Sequence, residues 1–279
     1  MTDRKLLTFY GLKFNPFLPS IPVDDLWMPP GADNFLFRLE TLVMDGGLAS
    51  IDGDPGTGKS KLLHAAAARL GKVEGVIVGV CERPTSTLSD FYRELGVLFG
   101  VNLPPANRYG AFATLRQRWR EHFAKSLFRP ILLLDEAQDA HATTLNELRV
   151  LGSEKFDSAH LLTVVLVGDS RLPDRFRSPD LLPLGSRIRT RLHLGALPKP
   201  ELTAFLDHLL ARAGNPGLLT PGLRATLVDR SAGNPRILCI TAAELLDVAL
   251  LRSCPVVDEA LFLEVFDRTP KKRRAETHA

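Results

Sequence analysis

The chain has 279 residues with 45% hydrophobic and 24% charged side chains and a net charge of +3. That is the composition of a globular protein, long enough for one large core and a smaller second domain, and it excludes a disordered or fibrous chain. The overall charge argues only weakly for an acidic partner, but its distribution is uneven. Six arginines face two acidic residues between Arg171 and Arg191, and Lys271-Lys272-Arg273-Arg274 sits near the end. Cys81, Cys239 and Cys254 form no C-x-x-C pair, as expected of free thiols in a reducing compartment, and the seven scattered histidines offer no protein-built metal site. No apolar run reaches the ~20 residues that span a bilayer. The opening Met1-Thr2-Asp3-Arg4-Lys5 also lacks the apolar core of a signal peptide. A cytoplasmic protein without a membrane partner is expected.

Residues 1–30 carry five prolines (Pro16, Pro19, Pro22, Pro29 and Pro30), which predicts an extended arm laid over the domain. Its aromatic block, Phe9-Tyr10-Gly11-Leu12-Lys13-Phe14-Asn15-Pro16-Phe17, needs somewhere to bury its rings. Helical spacing follows over 33–44 (Phe35, Leu39, Leu42, Val43), and then a short strand over 48–51. Next come Gly53-Asp54-Pro55-Gly56-Thr57-Gly58-Lys59-Ser60, which fit G-x-x-x-x-G-K-S, and a helix from Lys61 to Leu70. Strand, glycine loop and helix are the context that a phosphate-cradling loop requires. The glycines permit positive φ and close backbone approach. The N–H groups of the loop and helix start, with the helix dipole, favour phosphate. Lys59 would neutralise the β/γ-phosphates of ATP, and the Ser60 hydroxyl would ligate Mg2+.

A second buried-type strand is expected over 75–80, with helices over 87–99 and 110–128 separated at Pro104-Pro105. Phe112, Leu115, Trp119 and Phe123 form the apolar stripe of the second helix, away from Arg116 and Arg120. Residues 131–134 and 161–167 are all-apolar strands, the pattern of a parallel sheet covered on both faces. Strands alternating with helices predict a doubly wound α/β domain over 31–196. Past Leu197-Pro198-Lys199-Pro200 no strand pattern appears. Helices over 200–213, 221–231, 235–252 and 258–266 predict a small all-helical domain over 197–268, followed by a basic, disordered tail over 269–279.

The strand 131–134 ends in Asp135-Glu136. Adjacent carboxylates repel and resist desolvation, so a buried strand ending in such a pair points to a bound cation. Asp135 would hold Mg2+, and Glu136 would orient and deprotonate the attacking water.

These motifs, with the helical lid, resemble an AAA+ ATPase. The nearer resemblance is to the ExeA/GspA-like branch, over roughly residues 5–268. It rests on the aromatic block 9–17, Leu133-Leu134-Asp135-Glu136-Ala137-Gln138, Val165-Leu166-Val167-Gly168 and Gly233-Asn234-Pro235-Arg236. The resemblance implies that Arg187 is an arginine finger reaching the γ-phosphate of a neighbouring subunit and that Arg236 is a lid sensor. It places a polar nucleotide sensor at Asp169, where relatives usually carry Gln. An ionised Asp only accepts hydrogen bonds, which leaves the hydrolysis rate open. The Phe14–Phe17 block would pack near the adenine or in the core.

Standalone members of this branch are similar to transposition regulators of the TniB, TnsC and MuB-like type. That implies ATP-dependent binding to duplex DNA, assembly into a hexameric ring or helical filament, and recruitment of a DDE transposase or targeting protein. The DNA-facing loops of such proteins correspond to 82–87 and 105–109, making Arg83, Thr85 and Arg108 the expected contacts. No base-reading motif is visible, so binding would be largely sequence-independent. The alternatives are an assembly ATPase of a secretion or envelope machine, another DNA-associated loader, or a P-loop kinase.

Overall fold

The computed structural model describes residues 2–82, 87–103 and 107–266. They form two compact units, one within residues 28–195 and one joining residues 2–27 to 196–266.

The first element, α1 (Thr2–Tyr10), belongs to the second unit. The larger unit follows with α2 (Ala32–Asp45), β1 (Gly47–Gly53), α3 (Lys59–Gly71), β2 (Val78–Cys81), α4 (Leu88–Leu98), α5 (Arg108–Ser126), β3 (Ile131–Leu134) and α6 (Ala142–Gly152). A short hairpin of β4 (Ser153–Glu154) and β5 (Ala159–His160) comes next. Then come β6 (Thr163–Gly168), α7 (Leu172–Arg175), α8 (Leu182–Gly185) and β7 (Ile188–Leu194). Five strands make one parallel sheet in the order β2-β3-β6-β1-β7. Alternation along the strands divides the core. Leu132, Leu134, Val164 and Leu166 pack with residues of α4 to α8, whereas Ile131, Leu133, Val165 and Val167 pack with residues of α2 and α3. The doubly wound α/β sheet expected from the apolar strands is therefore what forms.

Some elements were not marked by apolar runs. β7 carries Arg189, Arg191 and His193 on alternate positions, and its burial alternates accordingly, as befits an edge strand. The β4–β5 turn holds Lys155, Phe156 and Asp157 at φ of 50°, 58° and 66°, three successive left-handed residues without a glycine. Arg116 lies across the end of α6, where its Nη1 donates to the carbonyls of Val150 (3.1 Å), Leu151 (2.9 Å) and Ser153. Arg120 donates to Glu154 at 2.6 Å. These two arginines, set apart from the apolar stripe of α5, hold the hairpin to that helix.

The second unit consists of α1 with α9 (Lys199–Ala213), α10 (Pro221–Arg230), α11 (Pro235–Leu251) and α12 (Glu259–Phe266), each C-terminal helix starting within two residues of the position expected from the sequence. Its opening segment departs from the extended arm. Residues 2–10 are helical because Leu6 and Tyr10, four apart, share a face that buries against α11. Phe17 is buried and Phe14 half-buried in the same helical core, so all of the aromatic block's rings but Phe9, which stays exposed, find burial there. Tyr10 Oη donates to Cys254 O at 3.0 Å, and Asn215 donates to Tyr10 O at 2.8 Å. No helix among the described residues is long and apolar enough to cross a membrane.

Candidate nucleotide site

In a parallel sheet all strands end on the same side, and β6 lies between β3 and β1. The loop Gly53–Ser60 after β1, Asp135-Glu136 after β3 and Asp169 after β6 therefore leave three neighbouring strand ends. Such carboxyl ends are where open α/β sheets bind ligands.

Each loop residue has a local reason. Gly53 sits at φ 155°, and a Cβ there would lie 2.1 Å from the Leu194 carbonyl oxygen of β7, so only glycine lets the edge strand pass. Gly56 and Gly58 adopt φ of 89° and 101°. Gly58 immediately precedes α3, and Lys59, Ser60 and Lys61 form its first turn. Orphan N–H groups at a helix start suit a phosphate. Lys59 Nζ donates to the carbonyls of Gly53 and Asp54, both at 2.8 Å, so the ammonium lies over the mouth of the loop. Thr57 Oγ1 donates to Asp54 O at 2.9 Å, bracing the turn at Pro55.

Across β6, the Asp135 N–H donates to Cys81 O at 3.0 Å, and its Oδ1 accepts the Glu136 N–H at 2.9 Å. Glu136 is exposed and sits at φ 49°, an uncommon backbone state for a non-glycine residue. Ser60 and Asp135 supply only oxygen donors, which fits Mg2+ held jointly with nucleotide phosphates.

Asp169 is engaged on all its groups. Its N–H donates to Gln138 Oε1 at 3.0 Å, its Oδ1 accepts the Arg171 N–H at 2.9 Å, and its Oδ2 accepts Arg171 Nε at 2.8 Å. The Arg171 side-chain hydrogen bond leads in holding the Asp169 carboxyl below the usual range, and the charge of Lys59 adds to it. Asp169 is thus ionised and acceptor-only, and the donor that the position lacks is present next to it as the exposed Arg171 guanidinium.

Arg187 lies just before Ile188, which pairs with Leu48 at the start of β1, whereas Leu194 pairs with Gly53 at its end. Six residues of strand separate these levels, roughly 20 Å at ~3.3 Å per residue. Arg187 therefore stands at the opposite end of the sheet from the phosphate loop that follows Gly53. Its Nη2 donates to Asp157 Oδ2 at 2.6 Å and its Nη1 to Pro183 O. Arg236 is exposed at the first turn of α11, where the Asn234 side chain accepts its N–H at 3.0 Å. Arg108 forks onto the buried Glu147, which also accepts the hydroxyl of Tyr92. Arg83 and Thr85 lie outside the described residues, as do the tail and its Lys271–Arg274 run.

Three side chains at the site carried no assigned role in the sequence. Gln138 was visible only as the last letter of the Asp-Glu-Ala-Gln run. Arg171 and Arg175 were two of six arginines in a basic stretch. Arg175 turns out to donate to the carbonyls of Ala137 (3.2 Å), Gln138 and Ala140 (2.8 Å), fastening the turn after Glu136 to α7. His193 Nδ1 lies 2.6 Å from Asp52 Oδ2, tying the edge strand to the last buried carboxylate before the loop.

The fold and site define an α/β P-loop protein of the AAA+ fold, and residues 43–176 match the family described as AAA domain. Over 250 residues the chain is 30% identical to General secretion pathway protein A of Aeromonas hydrophila, a stretch covering 88% of this chain and 45% of that protein. The chain thus spans less than half the length of this relative. Among solved structures it is similar to the Aeropyrum pernix ORC2 protein in its ADPNP-ADP complexes (TM-score 0.69, 17% identity, 91% of this chain and 71% of that one). It is similar too to the Aeropyrum pernix ORC1 protein in complex with DNA (TM-score 0.65, 21% identity, 90% and 68%). At these identities the likeness speaks for the fold alone.

Proposed function

We propose that this protein is a Mg2+-dependent ATPase that uses ATP to assemble copies of itself on duplex DNA, where it recruits or activates a DDE transposase. The observation that carries the hydrolytic part is the convergence of Lys59, Asp135, Glu136 and Asp169 on adjacent strand ends. Lys59 would meet the phosphates once it leaves the loop carbonyls. Ser60 and Asp135 would hold Mg2+, which when bound neutralises charge on the phosphoryl oxygens. Glu136 would take a proton from the attacking water.

The position of Arg187 supports a ring or filament. A guanidinium at the far end of the sheet cannot serve its own loop, but it can serve that of a second copy stacked against it. Arg236 carries the lid-sensor role in this reading. The DNA part draws support from a neighbour described in complex with DNA and from the arginines of the two loops. Arg83 and Thr85 would contact phosphates, and so would Arg108, whose side chain stays 64% exposed while paired with Glu147. Contacts of this kind are salt-dependent and largely blind to sequence. Retention of labelled duplex on a filter, with ATP and at low salt, tests this. Retention with ATP that is lost without nucleotide and falls steeply with salt is expected; no retention at low salt would sink the DNA reading.

A second reading has its own observation. The 30% identity to General secretion pathway protein A favours an assembly ATPase of a secretion or envelope machine. Co-sedimentation with membranes independently of DNA would favour it, and failure to do so would favour the first reading.

A further inference from the structure

Gln138 follows Glu136 by two residues and is nine-tenths buried, with 8% of its surface exposed. Its Nε2 donates to Glu136 Oε2 at 2.7 Å and to Asp139 Oδ2 at 3.3 Å, while its Oε1 accepts the Asp169 N–H at 3.0 Å. Only this orientation satisfies all the partners: flipped, the amide would set its oxygen against two carboxylates and its NH2 group against a donor. The seat is built around this contact. A Cβ on Gly168 would lie 2.6 Å from Gln138 Oε1, so the residue before Asp169 must be glycine for the amide to reach. Arg175 holds the backbone carbonyl of Gln138 from the other side.

We infer that Gln138 is the positioning residue that fixes the Glu136 carboxylate and couples it to the Asp169 loop. The inference rests on Glu136 being the base for ATP hydrolysis. One amide spans the ends of β3 and β6. Nε2 fixes one carboxylate oxygen of Glu136 and leaves the other to face water, while Oε1 holds the loop that carries Asp169 and Arg171. A shift of that loop, drawn by a phosphate through Arg171, reaches Glu136 through Gln138. Asp169 itself, acceptor-only and committed to Arg171, does not need to touch the nucleotide for this coupling. A misplaced base slows the chemical step without weakening ground-state binding.

The test uses the full chain and measures steady-state hydrolysis and equilibrium binding of a fluorescent ATP analogue. Gln138→Met keeps the length and removes both contacts. Gln138→Glu keeps an acceptor for the Asp169 N–H but loses the donor toward Glu136. Both are expected to lower kcat by about 10- to 100-fold with KM and analogue affinity within about twofold of the parent. Combining Gln138→Met with Glu136→Gln is expected to add no further loss, because residues acting as one unit are not additive. Gln138→Glu with parental kcat would reduce Gln138 to a support for the loop. An equal loss in the Glu136→Gln background would place its effect elsewhere. Either result overturns the inference. Failure of the underlying reading has a separate signature: Glu136→Gln alone would turn over at the parental rate.

Discussion

The Arg187 guanidinium donates to the Asp157 carboxylate at 2.6 Å, joining the start of β7 to the tip of the β4–β5 hairpin. Hydrogen bonds from Ser153 and then Arg187 hold the Asp157 carboxyl below its usual range. In the single chain, then, the expected finger is tied to its own hairpin, and engaging a neighbour requires breaking that tie.

Asp157→Ala should therefore ease assembly. The pair is about one-third exposed on both sides, which limits it to roughly 1 kcal/mol or less. Turnover at protein concentrations that limit assembly should rise by up to about fivefold, with no change once assembly is saturated. An unchanged rate at every concentration would mean that the tie does not restrain assembly. The pH sign is fixed by the depressed carboxyl: its stabilisation is present above the ordinary value of 3.8 and is lost as pH falls through the lower folded value. The stability difference between the parent and Asp157→Ala should be constant at neutral pH and disappear in acid, as read by urea unfolding across the pH range.

Glu136→Gln should keep ATP affinity while turnover falls by about 10^2- to 10^4-fold, the range for a positioned base. The ATP-bound assembly should then persist, which size-exclusion chromatography with ATP would show. Parental turnover in this variant would remove Glu136 as the base.

Gly53→Ala should damage the loop without touching a catalytic group. Its Cβ would sit 2.1 Å from Leu194 O, at a φ that side chains rarely adopt. Crowding and backbone strain together are expected to cost about 3 kcal/mol. A lowered urea midpoint with loss of the melting shift given by ATP is the outcome to look for. A parental midpoint would mean that β7 does not constrain the loop.

Tyr10→Phe should weaken the helical unit by about 1 kcal/mol, because the half-buried Cys254 carbonyl loses its donor. Burial pushes the Tyr10 phenol up to about 12, with the neighbouring Cys254 contributing. Its stabilisation is complete below 10.0, the value of a free phenol, and is lost as pH rises through about 12. Ultraviolet titration should show two tyrosines fewer ionising near 10 in the folded parent than in the unfolded chain, because burial and the hydrogen bond to Glu147 push the Tyr92 phenol up as well. A difference reduced to one in Tyr10→Phe would assign the other to Tyr10.

The phosphate loop, the Asp135-Glu136 pair and the alternation of strands and helices were legible because each is a local pattern: a glycine spacing, an apolar run or a proline at a helix start. The C-terminal helices were legible for the same reason. What escaped depends on pairing between distant segments. α1 lies in a proline-rich region, and its helical face has meaning only against α11. β7 was hidden by its arginines, since an edge strand need not be apolar on both faces. The hairpin strands have two residues each, too short for any period. Gln138 acquires a role only when β3 and β6 lie side by side and Gly168 leaves room for its amide. Arg108, read from its loop as a DNA contact, is also a structural partner of Glu147, which no spacing in the sequence reveals.

In the assembly proposed above, one copy would supply the phosphate loop and another Arg187. Arg187→Ala and Lys59→Ala should each be inactive alone, the first by about 10^3-fold or more. Mixed in equal amounts, they place an intact loop from one variant beside an intact Arg187 from the other at roughly a quarter of randomly formed interfaces. Hydrolysis should therefore recover to about a quarter of the parental rate. No recovery in mixtures that co-assemble would contradict a site shared between copies.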